Sequence, residues 1–298
     1  MVVVQGAFNE ALRPGFLDAF ADEYPGLPAV YPSLVPVISS QRAFEEWLIT
    51  TGLGTTPEKP EGEPTPMDRP LQVGTVKVRH TSYGLGYGVS HEAMINDLYG
   101  VIVDPSARFL AQSQRDVEER KAHAIFNLAA TTQQAFDGVS LINSAHPLAG
   151  GGTQANRPAT DEALSVGALQ ASRERFRKLV NERGIRIRYR AEKLLVPPEL
   201  EQRAEEILLS PMKPFTANNE INVANRMGLT HEVSEYLTSA TAWFNLAARQ
   251  RLRFFFVWRE RPTQSDDFDK KKRIAEFFNH SIFSLVSVDY RGIDGSTG

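Results

Sequence analysis

Few residues in this sequence are spaced for chemistry. Gly84-Leu85-Gly86-Tyr87-Gly88 stands between a strand-like and a helix-like segment, where phosphate-binding loops occur, but its spacing is GxGxG rather than GxGxxG. There is no Gly-Lys dipeptide, so a Walker-type phosphate loop is excluded. The same glycines on one strand face would let another backbone approach closely. The six histidines, His80, His91, His123, His146, His231 and His280, are scattered, and neither HExxH nor GxSxG occurs. With no cysteine, disulfides, thiolate zinc sites and cysteine nucleophiles are ruled out. Arg186, Arg188 and Arg190 alternate with Ile185, Ile187 and Tyr189. Such a strand would present a cationic strip to phosphates, or simply a solvated charged face opposite a half-buried one. Lys270, Lys271 and Lys272 follow Asp266, Asp267 and Asp269, a locally cancelled charge that reads as a solvated turn. These residues assign no catalytic, cofactor-binding or metal site.

Composition narrows the class further. The chain has 298 residues, 33 basic against 36 acidic, for a net charge of −3, without the basic excess of a strong nucleic-acid binder. At 42% hydrophobic residues it is no disordered chain. Its longest apolar run, Phe254 to Trp258, is far short of the roughly 20 residues of a membrane helix. The opening MVVVQGAFNE lacks the basic start and apolar stretch of a secretory signal.

The elements that would position any site are unusual. Residues 1–40 carry Pro14, Pro25, Pro28, Pro32 and Pro36, with one helical stretch from Gly15 to Tyr24, and read as an extended arm whose apolar residues must lie on something. Residues 50–72 hold five prolines and three glycines, too long for an ordinary connection of about 4–6 residues. Strict period-two alternation follows at Tyr83, Leu85, Tyr87 and Val89, which suits a long hairpin-like excursion. Ser90 is placed to cap a short helix, and Asp104-Pro105 to start a longer one through Ala135. The middle of that helix is polar, with Asp116–Arg120 and Glu118–Lys121 spaced for ion pairs. A rod of that length suits a flat molecule better than a globule. Further helices are expected over 165–181 and after Pro198, and strands over 185–190, 252–259 and 282–290, an α+β order without βα alternation.

In order along the chain, YGLGYGVSHEAMINDLYG (83–100), FDGVSLINSAHPLAGGGTQANRP (136–158), ALSVGALQASRERF (163–176), KLLVPPELEQRAEEILLS (193–210), TANNEINVANRMGL (216–229) and DYRGIDGSTG (289–298) resemble the Mu-like branch of tailed-phage major capsid proteins. Residues 1–82 are similar in organisation rather than wording, and Tyr290 stands where relatives carry tryptophan. The resemblance implies the Hong Kong 97-like capsid fold, with an N-terminal arm (1–45), an E-loop (46–89), a peripheral domain (90–137 and 251–298, spine helix about 105–135) and an axial domain (138–250). It implies a structural, non-enzymatic virion protein without cofactor, assembled in the host cytoplasm into pentamers and hexamers around double-stranded DNA that it touches weakly. Portal, scaffolding or decoration proteins would be its other partners, and a membrane would not. Scaffolding is expected from a separate protein or a removed leader. Leu34, Val35, Lys59, Glu61, Glu63, Met67 and Arg69 are the expected inter-subunit contacts. Lys59 has no assignable cross-linking partner, so the shell is expected to be non-covalent. Three other readings stand beside this one: an encapsulin-like compartment, a small enzyme using Gly84–Gly88 for a phosphate ligand, and a nucleic-acid binder using Arg186–Arg190.

Overall fold

The computed structural model describes residues 19–96, 103–212 and 221–298. Its largest element is a hairpin of β10 (Phe254–Asp269) and β11 (Ile274–Ser287), joined antiparallel nearly end to end. The two expected strands thus extend through the charged stretch between them, which forms the far half of the hairpin. Its tip is a turn in which Asp269 accepts the N–H groups of Lys271 and Lys272, and Arg273 has φ 55°. β1 (Val37–Ser39) adds parallel to β10, and β4 (Thr81–Ser90) adds antiparallel to β11, giving the order β1-β10-β11-β4.

Side chains alternate across this sheet, as strand geometry requires. Phe254, Phe256 and Trp258 join Phe283 on one face, with Phe256 and Phe283 stacked 4.8 Å apart. That face packs under α4 (Val103–Asn127) through Ala122, Ile125 and Phe126. On the other face Val257, Val286 and Val288 are covered by Trp47, Ile49, Val76 and Val78. These belong to a separate antiparallel pair, β2 (Phe44–Thr50) and β3 (Gln72–Arg79).

The long helix departs from expectation at both its end and its polar middle. It stops at Asn127 rather than Ala135. There the Asn127 side chain donates to Tyr236 O and accepts from Thr238 N, and the Leu128 carbonyl takes the amides of Thr131 and Gln133 as the chain turns away. At about 1.5 Å per residue the rod is still about 38 Å long. Asp116 and Arg120 pair as expected, at 2.8 Å. Glu118 does not meet Lys121; it is buried, and receives the hydroxyl of Tyr24 at 2.6 Å, the Gln114 amide and the Arg115 guanidinium.

Tyr24 lies at the end of α1 (residues 19–26), whose Phe20 packs on Ala107, Leu110 and Ala111. Next comes α2 (Tyr31–Leu34), where the amides of Val30 and Tyr31 both end on the Glu119 carboxylate. Leu34 and Val35 are 0% exposed within the chain's own main core. They are therefore not contacts with a neighbour, because the apolar part of the arm lies on its own long helix and sheet. Residues 1–18, with the first four positions of the expected Gly15–Tyr24 helix, lie outside the described residues, as does the junction at 97–102.

β4 leads into α3 (His91–Asn96), and a short pair, β5 (His146–Pro147) and β6 (Thr153–Gln154), follows α4. A second sheet has the order β12-β9-β7-β8, from β7 (Ala191–Val196), β8 (Thr230–Val233), β9 (Trp243–Ala247) and β12 (Ile293–Ser296). Its core of Leu194, Val196 and Trp243 is closed by Leu169 of α5 (Val166–Lys178) and Ala204 and Ile207 of α6 (Glu201–Leu209). Ser165 caps α5, accepting the Ala168 amide at 3.1 Å. The expected strand over 185–190 is absent apart from a Val180–Arg186 bridge. The Asn181 side chain accepts the amides of Arg183 and Ile185, Gly184 has φ 79° and Arg188 φ 56°, so the backbone bends where period-two alternation needs it extended. No ladder of arginines forms.

Candidate assembly surfaces

Two features of the described residues resemble enzyme sites in their residue types but not in their geometry. Gly84, Gly86 and Gly88 pair along β4 with His280, Phe278 and Glu276. A Cβ on Gly86 would lie 2.3 Å from the Phe278 ring and 2.8 Å from the Phe277 carbonyl. Gly86 makes room for that neighbour, and the backbone is extended strand, with no turn to cradle a phosphate. Ser234, His123 and Glu119 form a triad-like line: Ser234 Oγ is 2.8 Å from His123 Nε2, and Glu119 Oε2 is 3.5 Å from Nδ1. All three are buried, and Nδ1 donates to the Glu119 carbonyl at 2.8 Å. Burial pushes the His123 pKa down, so the neutral ring accepts from Ser234. The line ties α4 to the segment after β8 and offers no access to a substrate. Among the described residues no group of three His, Cys, Asp or Glu side chains is placed to hold a metal ion, and no helix is long and apolar enough to cross a membrane.

What sequence reasoning missed is a buried polar knot around the C-terminal DYRGIDGSTG. His146 stacks on Tyr290 with centroids 3.6 Å apart, its Nδ1 2.6 Å from Asp137 and its Nε2 3.0 Å from Asn156. The Asn156 amide donates to the carbonyls of Leu141, Tyr290 and Ile293. Arg291 pairs with Glu182 and Asp289, and Arg175 grips Asp294 at 2.6 and 2.8 Å. Burial pushes the Tyr290 hydroxyl up to about 12. The segment leaves β11 of the first sheet and enters β12 of the second, so these bonds fix the two sheets to each other. The only signal for this in the sequence was the clustering of Asn, Asp, Arg and His in the stretches that carry the resemblance.

The excursion between β2 and β3 stands clear of the cores described above. Residues 55–72 are exposed throughout, with Met67 at 92%. This places Lys59, Glu61, Glu63, Met67 and Arg69 together on one protruding loop, apart from Leu34 and Val35. The paired excursion runs from Phe44 to Arg79 rather than 46–89, because residues 81–90 are recruited into the long sheet as β4. At its base Arg183, from the turn after α5, reaches Asp68 at 2.6 Å, the Arg69 carbonyl at 2.5 Å and the Thr51 hydroxyl at 3.2 Å. Gly54 N donates to the same Asp68 carboxylate at 2.7 Å. Leu53 and Leu71 flank this clasp and are 58% and 62% exposed. A loop pinned at its root and apolar at its edges suits the capture of a neighbour.

Solved structures similar to this chain include capsids and a virus-like particle. The procapsid protein of bacteriophage JBD30 matches at 13% identity over 99% of this chain and 76% of that one, with a TM-score of 0.53. The capsid protein of cyanophage P-SCSP1u matches at 10% identity over 90% and 87%, with a TM-score of 0.62. A virus-like particle from Pyrococcus furiosus matches at 11% identity over 96% and 98%, with a TM-score of 0.51. At these identities the likeness establishes the fold. Comparison with curated protein sequences gives no match. The sequence model of the phage capsid protein family, however, matches residues 73–293, from β3 to the start of β12. The long hairpin, the helix lying on it and all but the last few residues of the second sheet and the knot fall within that match, and the chain belongs to the phage capsid protein family.

Proposed function

We propose that this chain is the repeating major subunit of a tailed-phage head, assembling with copies of itself into five- and six-membered rings of a closed shell around double-stranded DNA. The observation that carries this is the joining of a rigid wall, α4 on the β10–β11 hairpin, to an exposed loop of residues 55–72 that its own chain leaves uncovered. In this reading the wall is the peripheral unit, the β7–β9 sheet with α5 and α6 is the axial unit, and the β2–β3 excursion is the E-loop. Ring contacts of this kind are heterologous, so closure depends on the rotation between neighbours, and a proline-rich loop adapts to two rotations at modest entropic cost. The DNA contact is weak and salt-dependent, in keeping with the net charge of −3.

The test is negative-stain electron microscopy with sedimentation velocity on the chain expressed alone and with its neighbouring genes. Shells, tubes or rings are expected; a monomer under every condition would overturn the proposal. The likeness to the Pyrococcus furiosus particle keeps an encapsulin-like compartment as the second reading. Particles holding a protein cargo in place of DNA would select it.

A further inference from the structure

A small, open cleft lies between α5 and the start of β7, with Leu169, Met227 and Leu229 among its lining. Arg173 and Arg177, one helical turn apart on α5, line it together with Arg190. Among the described residues no carboxylate pairs with any of the three. Asn245, 1% exposed, also lines the cavity. Its amide nitrogen donates to Ser172 Oγ at 2.8 Å, and Ser172 gives its own proton to Asp294. That fixes the orientation of the Asn245 side chain and leaves its Oδ1 buried without a partner.

The cavity therefore asks for an occupant with two properties. It must bring carboxylate or similar oxyanions for the guanidinium forks, and a hydrogen-bond donor for the Asn245 carbonyl. A DNA phosphodiester supplies the first and has no donor. A peptide supplies both, and this chain exposes one of suitable charge. Glu58, Glu61 and Glu63 stand beside a single Lys59 within residues 58–63, with Arg69 further along the loop; the three glutamates are exposed, with no ionic partner among the described residues, and Met67 follows as an apolar anchor.

We propose that the acidic loop of one copy docks into the Arg173–Arg177–Arg190 cavity of a neighbouring copy, its carboxylates on the arginines and a backbone N–H or the Lys59 ammonium on Asn245 Oδ1. This rests on the reading that the chain assembles with itself, and it names both halves of one contact. Because the arginines and glutamates sit at the surface, reversing them leaves the core untouched. Circular dichroism of the variants checks this.

Arg173→Glu with Arg177→Glu is expected to raise the protein concentration needed for assembly by about tenfold or more, since like charges then face each other. Glu58→Lys with Glu61→Lys and Glu63→Lys is expected to do the same. All five substitutions in one chain are expected to restore assembly. In particles mixed from Glu61→Cys and Arg177→Cys chains, otherwise free of cysteine, a short bis-maleimide is expected to give mixed dimers. Charge-reversed chains that assemble like the parent, no recovery in the five-fold variant, or particles without mixed dimers would overturn the proposal. So would arginine variants that assemble normally but release DNA at lower salt, which would assign the cavity to phosphate. An unmodified chain that never assembles would instead remove the assembly reading, and the docking with it.

Discussion

Arg183 and Asp68 are 115 positions apart in the chain and 2.6 Å apart in space. Through this contact the turn after α5 holds the root of the exposed loop, with Thr51 and the Arg69 carbonyl as further anchors. The turn after α5 and both ends of the loop root thus meet at one guanidinium. In the proposed shell the loop would meet a neighbour at an angle set by the body of the subunit.

The bond to Arg183 holds the Asp68 carboxyl down at about 2, helped by the amides of Gly54 and Arg69. Arg183→Ala is expected to return it toward the ordinary carboxylate range and to speed hydrogen exchange at Gly54 and Leu71, with little change in melting temperature because the pair is exposed. Carboxyl titration by NMR and hydrogen exchange read this. Unchanged exchange at the loop root would show that the clasp is idle.

Glu118 sets a pH dependence. Burial raises its pKa, outweighing the Tyr24 hydroxyl, the Gln114 amide and the Arg115 guanidinium, which pull it down. The folded chain therefore keeps a proton that the unfolded chain has lost over the window from the ordinary value of 4.5 upward to the raised one. Stability falls as pH rises through that window. Glu118→Gln is expected to flatten this part of the profile in urea unfolding. A profile as steep as the parent's would contradict the assignment.

Leu34 belongs to the subunit's own core, so Leu34→Ala is expected to destabilise the unassembled chain by about 2–5 kcal/mol. Equilibrium unfolding of the monomer checks this. A change confined to assembly, with the monomer as stable as before, would return Leu34 to the interface.

Gly86→Ala places a methyl against the Phe278 ring and the Phe277 carbonyl. A loss of about 1–3 kcal/mol is expected from such overpacking. Adding Phe278→Ala should recover only part of it, because the Phe277 carbonyl stays in place. Full recovery would mean that the ring alone explains this glycine.

Much of the fold was legible in the sequence, and where it was not, a particular residue explains why. The helix over 165–181, found as α5, and the long α4 followed from local apolar spacing. The end of α4 did not, because its stop is made by Tyr236 and Thr238, over a hundred residues away. The 185–190 strand failed on the left-handed backbone of Arg188, which alternation of apolar residues does not reveal. The exposed loop was visible as a run of prolines, with Lys59, Glu61, Glu63, Met67 and Arg69 on it. Leu34 and Val35 were misplaced, because an apolar arm looks the same in sequence whether it covers its own core or a neighbour's. The Arg173–Arg177–Arg190 cavity was invisible, since its arginines come from α5 and the approach to β7 and its acceptor from β9.

The proposed shell depends on the loop of residues 55–72. Sedimentation velocity on the full chain beside a chain lacking residues 55–68, under one set of assembling conditions, tests this dependence. The full chain is expected to run as rings or closed particles, and the deletion as a folded monomer with the parent's circular dichroism, because its core does not use the loop. A deletion that assembles as completely as the parent would contradict the claim.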